Sequence, residues 1–295
     1  MNILISGASG LIGKALSNYL RFQGHWVYPL KRNASGSQFT WQPEKGEITL
    51  DPSVEIDAVI NLNGVNIGDK RWSNQRKKDI VNSRIQATNL LANTLASMPA
   101  PPKVLINASA IGFYGDTGYQ EVDESSPEGD NFLTDIVTQW EKAAQPAVSS
   151  NIRTVFIRSG IVLTRKGGAL SKMLLPFKLG LGGKVGSGQQ FMSWISLDDE
   201  IRAIEFILNH NDISGPVNLT SPNPVNNAEF SQALAKQLNR PLLLPMPESL
   251  VKIMFAEMGE LLLLGSARVL PSVLLQHGFQ FHHPQLPQAL EDALR

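Results

Sequence analysis

Apolar positions in the first two-thirds of the chain follow two alternating patterns. Short unbroken apolar runs predict strands buried on both faces, and apolar residues spaced three or four apart predict helices with one buried face. Asn2 to Ser6 is the first such strand. Leu11/Ile12, Ala15/Leu16 and Tyr19/Leu20 then mark a helix that Gly24 ends. Trp26 to Leu30 is the second strand, closing on Lys31-Arg32. Ala58 to Leu62, Val104 to Ala108 and Thr154 to Ile157 read as three further buried strands, and Gly46 to Leu50 as a short hairpin strand. Ser73 is placed to cap a polar helix through Ile80. A long helix follows, with Val81, Ile85, Thr88, Ala92 and Leu95 on one face. Another carries Phe132, Ile136, Val137, Trp140 and Ala144, and Pro146 closes it.

The pattern changes past Gly160. Gly167-Gly168 and the glycine-dense stretch from Leu179 to Gln190 flank Met173-Leu174-Leu175, as in surface loops that build substrate sites. Ser196 to Asp199 start a helix that buries Ile201, Ile204, Phe206 and Leu208; Asn227 is placed to cap the next, with Phe230, Leu234 and Leu238. Pro245, Pro247, Pro271, Pro284 and Pro287 punctuate the remainder. Together these elements predict an α/β fold: a Rossmann-type doubly wound parallel sheet over residues 1–238, with substrate loops from about 160, and a smaller appended lobe over 239–295.

The turn after the first strand, Gly7-Ala8-Ser9-Gly10-Leu11-Ile12-Gly13, makes that sheet a dinucleotide-binding one. Gly7 permits the tight turn, Gly10 lets backbone approach a pyrophosphate, and Gly13 lets the helix pack closely, while the helix N-terminus aims free N–H groups at the phosphates.

Charge and composition narrow the partners. Lys plus Arg and Asp plus Glu each number 26, and this zero net charge argues against nucleic acid or an anionic membrane as an obligate partner. Arg71, Arg76, Lys77 and Lys78 cluster as a solvated helix face. The chain has no cysteine, which excludes disulfides and thiolate metal sites, and its five histidines lack metal-ligand spacing. His282-His283 read as a surface turn. With a core strand at the N-terminus and no apolar run of the roughly 18 residues that span a membrane, a cytoplasmic protein without a membrane partner is expected.

Several longer segments carry a resemblance: Asn61-Leu62-Asn63-Gly64, NASAIGFYGD from Asn107, EVDESSPEGDNFL from Glu121, VTQWEKAA from Val137, IRSGIVL from Ile157, Met173 to Ile195, and RVLPSVLLQHGFQF from Arg268. The chain resembles the extended short-chain dehydrogenase/reductases, and within them an atypical epimerase-like family of the YfcH type, along essentially its whole length. The resemblance implies bound NADP(H). NAD-binding members carry an acid near the end of the second strand; here stand Lys31 and Arg32, suited to a 2′-phosphate. By position it also implies cofactor contacts from Gly7, Gly10, Leu11, Ile12, Gly13, Leu62, Asn63, Asp79, Arg84 and Val162. Asp79 and Arg84 read equally well as an exposed helix pair.

The family's Ser, Tyr and Lys, which move the proton during catalysis, align with Ala110, Leu133 and Val137, none of which transfers a proton. Ser109, one residue away, and Tyr114 are the nearby hydroxyls, and Glu121, Asp123 and Glu124 form an acidic loop. Two functions stand: an NADP-dependent oxidoreductase or epimerase acting on a small-molecule substrate, and an NADP-binding regulator acting through a protein partner, in line with SulA-like cell-division labels in the family. Extended members often form homodimers, which extends to this chain as an expectation.

Overall fold

In the computed structural model, which describes residues 1–32 and 36–295, strand follows helix as the apolar pattern requires. Eight strands form the main sheet: β1 (Asn2–Ser6), β2 (Trp26–Arg32), β3 (Thr40–Gln42), β4 (Glu47–Thr49), β5 (Ala58–Asn61), β6 (Val104–Ala110), β7 (Arg153–Ser159) and β8 (Gly215–Leu219). Their order across the sheet is β8-β7-β6-β5-β1-β2-β3-β4, all parallel except β4, which pairs antiparallel with β3 as the hairpin reading expects. The order reverses between β1 and β5, and the crevice outside their carboxyl ends is the topological switch point where such sheets bind ligands.

Side-chain alternation explains why these strands are apolar throughout. In β1, Ile3 and Ile5 face a core shared with Leu16 and Leu20 of α1 (Leu11–Phe22) and with Ile204 and Ile207 of the helix Leu197–Asn209. Leu4 faces the opposite core, with Leu91 and Leu95 of α2 (Asn74–Ala96). A parallel sheet covered on both faces leaves no polar side to a central strand.

The helices differ from expectation at three points. Ser73 caps α2, its Oγ accepting from Arg76 N at 3.1 Å, but the helix runs unbroken to Ala96. The buried stripe that sustains it is Ile80, Ala87, Thr88, Leu91, Ala92 and Leu95, with Val81 and Ile85 only half-buried on its flank. Pro146 does not close α3 (Phe132–Lys142); it sits in the first turn of α4 (Gln145–Ser149), where its missing N–H costs nothing. Asn226, not Asn227, caps the helix Asn227–Gln237, in a reciprocal capping box with Glu229. Asn227 instead accepts from Val185 N at 2.7 Å.

Residues from 239 onward are distributed over several packing environments. Arg268–Val269 pairs parallel with Glu121–Val122, Leu274 and Phe279 join the α1-side core, and the terminal helix Leu286–Leu294 packs with Trp194, Phe230 and Leu234. Lys77, expected in solvent, reaches Glu257 and lies over the Phe132 ring. Among the described residues no helix is long and apolar enough to cross a membrane.

Candidate functional site

The turn between β1 and α1 is built so that only glycine fits. Gly7 has φ +71°, and a Cβ there would lie 2.6 Å from Leu62 O, so the turn rests directly on the backbone that leaves β5. A Cβ on Gly13 would lie 2.2 Å from Gly7 O and 2.9 Å from Ala8 Cα, which brings α1 against its own entry turn. Gly10 N donates back to Gly7 O at 2.9 Å. No side chain caps α1 and no acid occupies its first turn, so its N–H groups and positive pole point outward at the switch point. Leu11 and Ile12 open the helix half-buried, with Gly167 and Gly168 across from Leu11.

Cations surround this opening. Lys31 and Arg32 are exposed at the end of β2, and among the described residues no carboxylate pairs with either. Arg32 Nη2 donates to Asn63 Oδ1 at 3.2 Å, and Asn63 Nδ2 donates to Ser83 O at 2.8 Å, tying the end of β2 to α2 across the crevice. Arg84 lies against Gly64 and over the Trp140 ring, 4.9 Å from its centroid, and donates to Ile80 O at 3.0 Å. Desolvation, with Arg76 nearby, pushes its guanidinium down to about 10. Asp79 stands apart on the exposed face of α2, accepting from Gln75 Nε2, so the exposed Asp79–Arg84 pair does not form.

Beneath the crevice, polar side chains lock the strand ends. Asn61 Nδ2 donates to Thr88 Oγ1 at 2.8 Å and to Asn107 Oδ1 at 2.7 Å, Ser6 Oγ donates to Asn61 Oδ1, and Trp140 Nε1 donates to Thr88 Oγ1 at 3.0 Å. All are buried, and together they bind β1, β5 and β6 to α2 and α3. Nothing in the local sequence marks this set except Asn61 and Asn107, each of which opens a segment that carries the family resemblance.

The two candidate hydroxyls, Ser109 and Tyr114, are engaged by side chains within the fold. Ser109 Oγ donates to Glu141 Oε1 at 2.6 Å; Tyr114 Oη donates to Asn218 Oδ1 at 2.8 Å and accepts from Arg158 Nη1 at 3.0 Å. Both residues are buried, and burial raises the Tyr114 hydroxyl above its ordinary range, so it holds its proton. Arg158 completes the cluster with two 2.9 Å bonds to Glu141 and its guanidinium stacked 3.4 Å from the Phe113 ring centroid. Ala110 ends β6, and Leu133 and Val137 of α3 pack toward Gly112. The acidic loop is engaged as well. Glu121 pairs with Arg268, Asp123 accepts from Ser125 and Ser126, and Glu124 accepts from the amides of Asn218 and Val273.

On the far side of the opening, Val162 lies half-buried on the strand Ile161–Leu163, which pairs in parallel with Trp194–Ser196. Leu62, Ala8, Ile12, Ala108 and Val162 are partly buried and each packs against the α1-side core, an apolar floor for the carboxyl edge of the sheet. Lys172 of the helix Gly168–Lys178 donates to Gly68 O and spans to the loop after β5. Asp198, Asp199 and His283 bring ligand atoms within 4.8 Å of one another, but Asp199 is already saturated. It accepts from Arg202, from Ser196 and from the amides of His282 and His283, so this group fastens the tail to the helix Leu197–Asn209.

A glycine-only turn against a helix N-terminus, an apolar floor and guanidinium groups that meet no carboxylate among the described residues fit a dinucleotide: backbone and dipole for pyrophosphate, Arg32 for a phosphate on the ribose, the floor for a flat ring. Comparison with known proteins agrees. The NAD dependent epimerase/dehydratase family model matches residues 3–219, and a domain of unknown function matches 246–293. The chain is 44% identical over 290 residues to the epimerase family protein Mb2239 of Mycobacterium bovis, covering 98% of this chain and 96% of that one. It is 37% identical over 295 residues to the human epimerase family protein SDR39U1, covering 99% of each. A crystal structure of human SDR39U1 with NADPH superposes with a TM-score of 0.92, at 37% identity over all of both chains. A nucleoside-diphosphate sugar epimerase of Corynebacterium glutamicum gives a TM-score of 0.81 at 31% identity, with this chain spanning 58% of its length. Fold, crevice and likeness along the whole chain coincide: the chain belongs to the NAD dependent epimerase/dehydratase family, of the extended short-chain dehydrogenase/reductase type.

Proposed function

We propose that this chain binds NADP(H) in the switch-point crevice and acts as an oxidoreductase or epimerase on a small organic substrate. The observation that carries the cofactor reading is the Arg32–Asn63 contact at the end of β2, where Lys31 and Arg32 stand without a carboxylate partner among the described residues. Arg32 and Lys31 hold the 2′-phosphate, Gly7 to Gly13 and the α1 N-terminus the pyrophosphate, Leu62, Asn63 and Arg84 the adenosine side, and Val162 the nicotinamide end. When bound, the nicotinamide supplies or accepts hydride. The chain's own residues orient it and keep water from the apolar floor.

Arg32→Ala tests the reading. A charge-assisted hydrogen bond contributes about 1.5–3 kcal/mol, so NADP+ affinity falls about 10- to 100-fold while NAD+ affinity changes little. Equal loss for both cofactors, or no loss, removes the 2′-phosphate role. The apolar triad Ala110, Leu133 and Val137 favours a second reading, an NADP(H)-binding regulator without turnover. A panel of carbonyl compounds and nucleotide sugars, followed by NADPH absorbance and by product, separates the two.

A further inference from the structure

Ala110, Leu133 and Val137 leave the crevice without the family's proton-transferring groups, yet one row across the sheet a hydroxyl does stand at the carboxyl edge. Ser159 ends β7, in register with Ala110 of β6 on one side and Leu219 of β8 on the other. Residues in register on parallel strands project from the same face, with backbones about 4.8 Å apart. Ser159 therefore stands beside the methyl group of Ala110, in the same row, and is half-buried rather than closed off.

Ser159 Oγ donates to Glu200 Oε1 at 2.6 Å. Glu200 lies in the first turns of the helix Leu197–Asn209 and is fully buried, and its Oε2 meets no donor. A buried carboxyl with one oxygen unpaired is costly as an anion, and burial pushes it up to about 8, against which the Ser159 bond works only partly. The surrounding charges are spoken for. Asp199 on the same helix faces Arg202 and the His282 and His283 amides, Glu205 faces Tyr19 of α1, and Arg158 of β7 faces Glu141 across the sheet; Lys14 of α1 and Asp198 are turned outward, Asp198 to His282.

We propose that Ser159 and Glu200 form the proton-carrying pair of this site, in place of the tyrosine and lysine that the chain lacks. The proposal rests on the crevice being the NADP(H) site. The substrate is a carbonyl compound that receives hydride from the reduced nicotinamide dinucleotide. The Ser159 O–H bond breaks as its proton passes to the substrate oxygen, and the Glu200 O–H bond breaks as the serine hydroxyl is restored; after product leaves, the Glu200 carboxylate regains its proton through the half-buried Ser159 hydroxyl, which takes one in turn from water in the crevice. Ser159 is the catalytic residue, and Glu200 acts through it.

Two measurements on the full chain test the pair. Infrared spectra between pH 6 and 10 are expected to show a carboxylic-acid C=O band that fades as pH rises through about 8, disappears in Glu200→Gln and shifts in frequency in Ser159→Ala. Calorimetry is expected to show NADP+, with its positive nicotinamide, binding about tenfold tighter at pH 9 than at pH 6.5, while NADPH changes less than about twofold and Glu200→Gln abolishes the difference. A missing band, or one that Ser159→Ala leaves in place, overturns the pair whatever the cofactor does. The same pH response for both dinucleotides, or one that survives in Glu200→Gln, also overturns it. Failure of either dinucleotide to bind at any pH overturns the cofactor reading, and with it the role assigned to the pair.

Discussion

Replacing Glu141 with glutamine tests whether the cluster beneath the β6–β7 ends is structural. Arg158 is 3% exposed and gives Glu141 two parallel bonds of 2.9 Å, with Tyr114 Oη at 3.0 Å as its other polar partner. Desolvation works against the buried charge, and the Glu141 carboxylate outweighs it. Glutamine keeps the shape but leaves the guanidinium without a counter-charge and offers Ser109 a weaker acceptor. Breaking a buried pair from one side costs about 3–5 kcal/mol. Unfolding entropy of about 2.1 cal/mol/K per residue converts this, over the whole chain, to a fall in Tm of about 5–8 °C. Thermal unfolding by circular dichroism at 0.15 M salt measures it, and NADPH affinity should hold within about twofold. The paired variant Glu141→Leu with Arg158→Met should recover most of the loss, because no lone charge remains. A Tm change below about 2 °C for Glu141→Gln, or strictly additive losses in the cycle, would refute the reasoning.

Three further outcomes follow from the same geometry. Glu200 is raised in the folded chain, so folding holds a proton that the unfolded chain releases; its penalty is absent below about pH 4.5, grows as pH rises and is complete above about 8, on the order of 5 kcal/mol. Glu200→Gln should therefore flatten the decline in denaturant stability between pH 6 and 9, and an unchanged slope counts against the buried proton. Asp199→Ala removes the acceptor that holds Arg202 and the amides of His282 and His283, and limited proteolysis should cut near residue 282 several-fold faster, with about 2–4 kcal/mol of stability lost. Gly13→Ala drives a methyl into Gly7 O, so thermal stability and NADPH affinity should fall together; retention of both contradicts the close packing of α1 on its turn.

What was legible in the sequence is what short-range physics dictates. Gly7 and Gly13 announce backbone that no Cβ can enter, Ser73 announces a helix start, and unbroken apolar runs announce strands covered on both faces. Boundaries failed where tertiary packing decided them. Ile80 buries within α2 and carries the helix through an expected break, and Pro146 begins a helical turn that periodicity alone would end. The clusters under the site were not legible at all. Arg158 of β7 and Glu141 of α3 meet through their long side chains, and Thr88, Asn107 and Trp140 meet across three elements. Glu200 reads as an ordinary first-turn acid, and only the fold shows it sealed from water. Of the positions expected to hold the cofactor, Gly7, Gly10, Leu11, Ile12 and Gly13 build the turn into α1, Leu62 lies against Gly7, Arg32 bonds Asn63, Arg84 lies against Gly64, Lys31 stands exposed at the end of β2 and Val162 lies on the strand Ile161–Leu163, while Asp79 is exposed on α2 and bonded to Gln75.

The most direct test of the central claim is the affinity of the wild-type chain for NADPH relative to NADH, measured by calorimetry in one buffer at fixed salt. With Lys31 and Arg32 exposed at the end of β2 and placed to receive the 2′-phosphate, NADPH should bind at least about tenfold more tightly. Equal affinity, or tighter binding of NADH, would contradict it.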